Sequence, residues 1–336
     1  MSNHPIDHPA RRIPEGFILA IGMLLVFQMI WGQEAVAADT GKYPMIVRVR
    51  PGDTPSTLAR RYLNDVSKAW MIKAYNNDAA MTPNGAVLIP RAPFRLGGLT
   101  PDGFQNVPVL AYLDPGAESS TAERAFAATF RQHMTWLKKN GYAALSPSQL
   151  LQFLNYSGQL PEKSIFITAD MQSRWFYDYM APVLKELGFT ATVFVATGHV
   201  GDTDAMTWDH LKRLYRDGFF IGCRGENGRS LARRKPGQSF ETNFKWIESE
   251  LKKAKVSIEA HLGEPCLLLA YPQGGTNGLI AAVAAKMGFS AAFTLSSGEN
   301  PFYADRFLIH RTIVDNRTGP EQFRDGLVTR IEADLK

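Results

Sequence analysis

The sequence predicts an α/β protein: a barrel of parallel strands covered by helices, preceded by a small βααβ domain. From Val107 onward, short continuous apolar runs alternate with longer segments whose apolar residues recur every three or four positions. Strands that are apolar on both faces belong in a parallel sheet covered by helices on its outer side. Upstream, between Tyr43 and Phe94, two short strand patterns flank two helical ones. The 336 residues, 45% apolar and 21% charged, are enough for one full core and a second, smaller one.

The amino terminus precedes both domains. Arg11-Arg12 stand before an apolar run from Phe17 to Trp31, and Ala35-Val-Ala-Ala38 offers a small-residue cleavage site. Residues 1–38 therefore read as a secretory signal or a membrane anchor, since the run is long for a signal core and short for a span. The arginine pair lacks the surroundings of a twin-arginine signal. Either reading puts the remainder outside the cytoplasm, periplasmic or secreted. The net charge of +5 is dispersed, which suits an anionic glycan or a membrane surface, and no nucleic-acid partner is expected. Cys223 and Cys266 fall near opposite ends of neighbouring strands and are expected as free, buried thiols.

In the small domain, Met45-Ile-Val-Arg-Val-Arg50 alternates as a strand, and Asp53 or Thr54 caps a helix through Leu58, Ala59 and Tyr62. A second helix starts near Ser67, and Ala86-Val-Leu-Ile-Pro90 returns as a strand. Val-Arg-Pro-Gly-Asp-Thr54, Leu-Ala-Arg-Arg-Tyr62, Ala-Trp-Met-Ile72, Asn76 and the closing Gly85-Ala-Val-Leu-Ile-Pro90 resemble the LysM module, with Pro55 as a departure. The resemblance assigns residues 43–94 to a LysM-like domain. It implies binding of N-acetylglucosamine-containing polymers through loops that here hold Asp53, Thr54 and Asn84. The same residues would equally serve as turns and caps.

Residues 95–106, rich in glycine and proline, read as a linker. The large domain, 107–334, opens with the strand Val107–Tyr112 and a helix carrying Phe126, Phe130, Met134 and Leu137 on one face. Ser146-Pro147 cap and start the next helix. Further strands are expected at 165–168, 191–195, 219–222, 267–270, 291–294 and 308–314. Helices are expected near 176–187, 207–217, 240–260, 276–287 and 320–333. A barrel of this kind carries its site at the carboxyl ends of the strands.

Five segments occur in the order and spacing of the NodB-homology polysaccharide deacetylases, and the chain is identified as resembling that family. They are Val107–Leu113, Ser164–Asp170, Ala181–Val195, Gly218–Gly222 and Ala270–Gly274. The resemblance implies a deacetylase-type (β/α) barrel and, in active members, metal-dependent removal of acetyl groups from glycans. Thr168-Ala-Asp-Met-Gln172 matches the family's Thr-Phe-Asp-Asp-Gly. Asp170 stands at the candidate base and Met171 at a metal ligand. Arg224 and Gly228 stand at the two histidine ligand positions, and Leu113 where a histidine usually follows Tyr112. No metal ligand survives in this alignment, and no cofactor is expected.

An arginine cannot take over from a metal. A bound ion lowers the pKa of its water from about 15.7 to about 7, worth on the order of 12 kcal/mol, whereas a hydrogen bond from a charged group contributes roughly 1.5–3 kcal/mol. Arg224 is instead expected to fill the vacancy and neutralise Asp170. With Arg174, Arg229, Arg233, Arg234 and Lys235 it would line a groove for an anionic glycan. Tyr271 and Pro272 match the family's acetyl-holding strand end, and Trp175 is a candidate for stacking on a sugar. The favoured reading is a glycan-binding pseudoenzyme of the cell envelope. A polysaccharide N- or O-deacetylase with an unusual site and an interaction scaffold in an envelope or export assembly stand as alternatives.

Overall fold

The computed structural model describes residues 45–76, 80–90, 96–100, 103–114, 120–234, 236–315 and 317–333. The expected leader, 1–38, and Lys235 lie outside them. Among the described residues no helix is long and apolar enough to cross a membrane. The chain divides into two compact units, Met1–Pro93 and Phe94–Lys336.

In the first unit, β1 (Met45–Arg48), α1 (Pro55–Leu63), α2 (Ala69–Tyr75) and β2 (Ala86–Ile89) follow in order. The strands pair antiparallel, Met45 opposite Ile89. Thr54 caps α1 by accepting from the Thr57 N–H at 3.2 Å, while Thr57 Oγ1 accepts from the Thr54 N–H at 2.8 Å. This reciprocal pair satisfies two donors at the helix end. Val47, Val49, Leu58, Ala59, Ile72, Val87 and Ile89 form a small core. The Asn76 side chain ties α2 to β2, donating to the Ile72 and Leu88 carbonyls and accepting from the Leu88 N–H.

The second unit contains β3 (Gly103–Gln105), β4 (Val109–Leu113), α3 (Ser120–Lys139), β5 (Ala143–Ala144), α4 (Pro147–Leu154) and β6 (Ser164–Asp170). A single π-helical stretch, Phe176–Met180, leads into α5 (Ala181–Leu187). There the Ala181 N–H reaches back to the Phe176 carbonyl, and Pro182 has no N–H to continue the usual ladder. Then come β7 (Thr192–Val195), α6 (Trp208–Arg216), β8 (Phe220–Cys223), α7 (Phe240–Leu262), β9 (Leu268–Ala270), α8 (Gly278–Lys286), β10 (Ala291–Phe293), β11 (Thr312–Val314), α9 (Pro320–Asp325) and β12 (Arg330–Glu332).

The strand order β10-β9-β8-β7-β6-β4-β11 is parallel throughout. The curled sheet is drawn round by a parallel bridge between Phe293 and Ile309. Two cores follow from the alternation of strand side chains. The inner one gathers Val109, Phe166, Phe194, Leu268, Phe293 and Ile309. The outer one packs Tyr112, Ile167, Val193, Cys223 and Leu269 against the helices, including Phe126, Phe130, Met134 and Leu137 of α3.

Three expectations change. The segment expected as a linker is structured where it is described, because β3 pairs with β12, Phe104 opposite Ile331. No side chain would fit at Gly103, which lies against the Ile331 carbonyl. The expected helix 320–333 stops at Asp325, since Gly326 packs closely on Thr312 and the chain then extends into β12. Cys223 and Cys266 are free and buried as expected. They lie in one outer core, however, with Cys223 level with Leu269, rather than at opposite ends of the sheet. Burial pushes the Cys266 thiol up to about 12.

Candidate functional site

The carboxyl ends of the strands bring the expected motifs to one mouth. β6 delivers Asp170 on its inward face, in line with Phe166 and Thr168. Asp170 is 3% exposed at its side chain, and its partner is Arg311 of the loop entering β11, fully buried. The guanidinium grips the carboxylate with both prongs, Nη1 to Oδ1 at 2.6 Å and Nη2 to Oδ2 at 2.9 Å. Its Nε donates to the Thr294 carbonyl at 2.6 Å, and Nη1 also reaches Thr168 Oγ1 at 3.2 Å. The Thr168 hydroxyl donates to the Leu110 carbonyl at 2.7 Å. The ring of Phe194 lies under the guanidinium, 5.8 Å away. The forked geometry thus leaves both carboxylate oxygens of Asp170 occupied.

This corrects the expectation that Arg224 neutralises Asp170. Arg224 continues β8, its N–H bonded to the Val195 carbonyl at 2.9 Å. Gly222 faces Phe194 inside the barrel and Cys223 faces the outer core. Alternation therefore turns Arg224 inward at the mouth. Its Nε is buried and has no hydrogen-bond partner.

The loop after β6 is held from three sides. Asp114, just beyond β4, accepts from the Gln172 and Ser173 N–H groups and from the Ser173 hydroxyl. The Gln172 side-chain carbonyl accepts from Ala196 N–H at 3.1 Å, and its backbone carbonyl accepts from Met206 N–H. The loop after β8 is pinned by Glu250 of α7, a buried carboxylate that accepts from the Asn227 N–H at 3.0 Å and from the Asn227 amide at 2.6 Å.

The residues that the resemblance places at ligand positions do not fit a metal. Met171 is fully buried in the outer core, beside the helices and away from the mouth. Gly228 has φ +62°, and a Cβ there would come to 3.3 Å from Ala196 Cβ, so a β-carbon is disfavoured twice over. Leu113 and Arg224 are not ligands. Among the described residues, no three His, Cys, Asp or Glu side chains gather in a way that could hold an ion.

Other expected site residues lie elsewhere. Trp175 is 4% exposed and stacks on Phe126 at 5.0 Å between ring centres, so it is a core residue and presents no platform to a sugar. Its position one residue before the π-helical stretch turns it under α3 rather than over the mouth. Arg174 faces its own helix, 3.5 Å from Asp178. Tyr271 is fully buried and donates its hydroxyl to the Phe307 carbonyl at 2.9 Å, and Pro272 packs next to Gly225. In the first unit, Asp53 accepts from the Arg50 N–H and pairs with Arg61 at 2.8 Å. Those hydrogen bonds hold its carboxyl below the usual range. Thr54 caps α1, and Asn84 takes the left-handed turn conformation at φ 69°.

Sequence reasoning did not single out Asp114, Gln172, Asn300 or the pairing role of Arg311. A charged residue at the same parity as Ile309 was the available signal for Arg311.

Comparison with known proteins agrees with this architecture. Residues 157–292 match the family model described as polysaccharide deacetylase. The Bacillus subtilis (strain 168) protein YxkH, a polysaccharide deacetylase by name, is 26% identical over 208 residues, which span 62% of this chain and 71% of that protein. The poly-beta-1,6-N-acetyl-D-glucosamine N-deacetylase of Staphylococcus aureus (strain MRSA252) is 26% identical over 193 residues, 54% of this chain and 66% of that protein. Among solved structures, the Streptococcus pyogenes deacetylase PplD superimposes with a TM-score of 0.59 at 22% identity, covering 66% of this chain and 98% of that one. IcaB from Ammonifex degensii gives 0.55 at 23% identity, covering 66% and 94%. The barrel unit therefore has the fold of the polysaccharide deacetylases and matches the model of that family over residues 157–292.

Proposed function

We propose that this protein is an extracytoplasmic glycan-binding member of the deacetylase family whose barrel no longer turns substrate over by the metal route. The observation that carries the reading is the Asp170–Arg311 pair: the residue aligned with the base has both oxygens committed to a buried guanidinium. A general base has to meet the water it activates, and a carboxylate 3% exposed and gripped on both oxygens by Arg311 gives that water little access. The ligand positions support the same reading, because Met171 faces the outer core and Gly228 holds a positive φ in tight contact with Ala196, where a side chain is strained.

The LysM-like reading of residues 43–94 supplies a second contact with an N-acetylglucosamine polymer. It is supported by the motif and by the βααβ order of the first unit. A deacetylase with a rearranged site is the second reading, favoured by the names of the relatives at 26% identity.

Acetate release decides between them. The full chain would be incubated with N-acetylglucosamine oligomers, with and without zinc, cobalt or nickel, beside an Asp170→Asn variant. The proposal expects no acetate above the variant's background under any condition, together with measurable retention of the oligomer. Metal-stimulated release that disappears in Asp170→Asn would overturn it.

A further inference from the structure

The loop after β8 brings a dense run of positive charge to the mouth. Residues 224–234, Arg-Gly-Glu-Asn-Gly-Arg-Ser-Leu-Ala-Arg-Arg, hold four arginines and one acid in eleven positions. The acid, Glu226, is engaged by Lys253 of α7 at 3.1 Å. Arg229, Arg233 and Arg234 are exposed, and among the described residues none of them makes an ion pair or side-chain hydrogen bond. Arg224 adds a fourth cation at the inner edge, its buried Nε without a partner.

The loop is ordered rather than draped over the surface. Leu231, between the arginines, is 1% exposed in the outer core. Ser230 and Ala232 pack against Gly275 beyond β9. The loop's amino-terminal half is fixed by Asn227 on Glu250 and by the Gly198 N–H on the Glu226 carbonyl at 2.8 Å. Of the acids around it, Asp170 is ion-paired by Arg311 and Glu226 by Lys253, while Glu250 is hydrogen-bonded by the neutral Asn227 donors, so four arginines stand against one carboxylate without a cation. The mouth therefore keeps uncompensated positive charge on one rim, with an unfilled donor at the base of that rim. Leaving a buried donor unsatisfied is costly, and a ligand acceptor that meets it recovers that cost.

We propose that this rim binds a carboxylated polysaccharide, with Arg224 taking a carboxylate at the mouth and Arg229, Arg233 and Arg234 following the chain outward. This rests on the glycan-binding reading above and narrows it from an acetylated amino sugar to an acidic polymer. Arginine matches a carboxylate through its planar fork. The outer arginines add longer-range attraction that salt screens over about 10 Å at 0.1 M.

The test is calorimetric titration of the full chain with oligogalacturonate and, separately, with an uncharged N-acetylglucosamine oligomer, at low and high salt. Three variants run alongside: Arg229→Gln/Arg233→Gln/Arg234→Gln, Arg224→Met, and a control that neutralises exposed charges elsewhere, Lys139→Gln/Arg216→Gln/Lys252→Gln. The expected result is oligogalacturonate binding that weakens with salt. It falls at least tenfold in both the rim and the Arg224→Met variants and stays within twofold in the control. Thermal melts confirm that each variant is folded, and the exposed rim triple keeps the test valid if Arg224→Met is not. Equal loss in the control would overturn the proposal as general charge attraction. Binding of the uncharged oligomer alone, unchanged in the rim variant, would overturn it and leave the glycan reading intact. Binding of neither oligomer would sink both.

Discussion

Removing Arg311 strips Asp170 of its only charged partner among the described residues, at a site where the carboxylate is 3% exposed. Arg311→Met keeps most of the side-chain volume but deletes both prongs, the Nε bond to Thr294 and the contact with Thr168. Breaking a buried pair by removing one member costs roughly 3–5 kcal/mol, because the other charge stays behind uncompensated. The loss of two further acceptors' partners puts this site toward the upper end. With a urea slope of about 2–3 kcal/mol/M, the barrel transition should fall by about 1.5–2 M. Four of the six tryptophans, at 136, 175, 208 and 246, lie in the barrel unit, and Trp175 is buried, so intrinsic fluorescence reports the transition. Asp170→Leu alone should cost a similar amount. The double variant Asp170→Leu/Arg311→Met should recover much of the loss, since an apolar pair of similar size is often no worse than the ion pair it replaces. The coupling across the cycle should exceed about 2 kcal/mol. If Arg311→Met shifts the midpoint by less than about 0.3 M, the pair does not hold the site together, and the argument that Asp170 has become structural fails with it.

Further outcomes follow from single features. His133 is stacked on Phe323 with ring centres 3.9 Å apart, and burial lowers its pKa to about 4. The unfolded chain would take up that proton near pH 6.5, so the folded state loses stability as pH falls from about 6.5 to 4. The loss is at most about 3 kcal/mol, and urea titrations at pH 7 and 4.5 should show a smaller difference in His133→Phe. Restoring the family's ligands by Met171→Asp/Arg224→His/Gly228→His should not produce stoichiometric zinc by elemental analysis. Gly228→Ala alone should already cost about 1–2 kcal/mol by strain at positive φ. Asn300→Ala should lower stability by about 2–4 kcal/mol in the same urea assay. Its side chain joins Val107 and His310 through three hydrogen bonds in a buried gap, and their loss leaves backbone groups unpaired.

Local signals carried far in this sequence. Ser164–Asp170 is continuously apolar except at Ser164, Thr168 and Asp170, and it became the buried strand β6 that pairs with β4 and β7. The caps at Thr54 and Ser146 were visible because a cap and its helix are a few residues apart. The site was less legible because its partners are remote in the chain. Arg311 and Asp170 are 141 residues apart, and nothing near either position announces the other. Arg224 occupied the expected location in the motif, yet pairing is decided by which strand edge brings a guanidinium within reach. Trp175 looked like a sugar platform because exposure cannot be read from residue type. The π-helical turn after it rotates the indole into the core. The segment 95–106 looked like a linker because glycine and proline mark chain reversal as well as flexibility, and here Gly103 gives the close approach that β12 needs.

The pairing of β12 with β3 also governs the order in which the barrel can assemble. The Asn106 side chain donates to the Val328 carbonyl, 222 residues downstream, so the floor of the barrel latches through one of its most distant contacts. Closing a loop of that length is slow relative to forming the local strand–helix units, though its entropic cost grows only logarithmically. The parallel strands can thus dock while the floor is still open. The final latch then makes the transition of the whole unit more cooperative. A break in the chain on the mouth side, such as the exposed turn at 201–204, should leave that latch intact, whereas loss of 330–332 would leave β3 as an unpaired edge open to association with another copy.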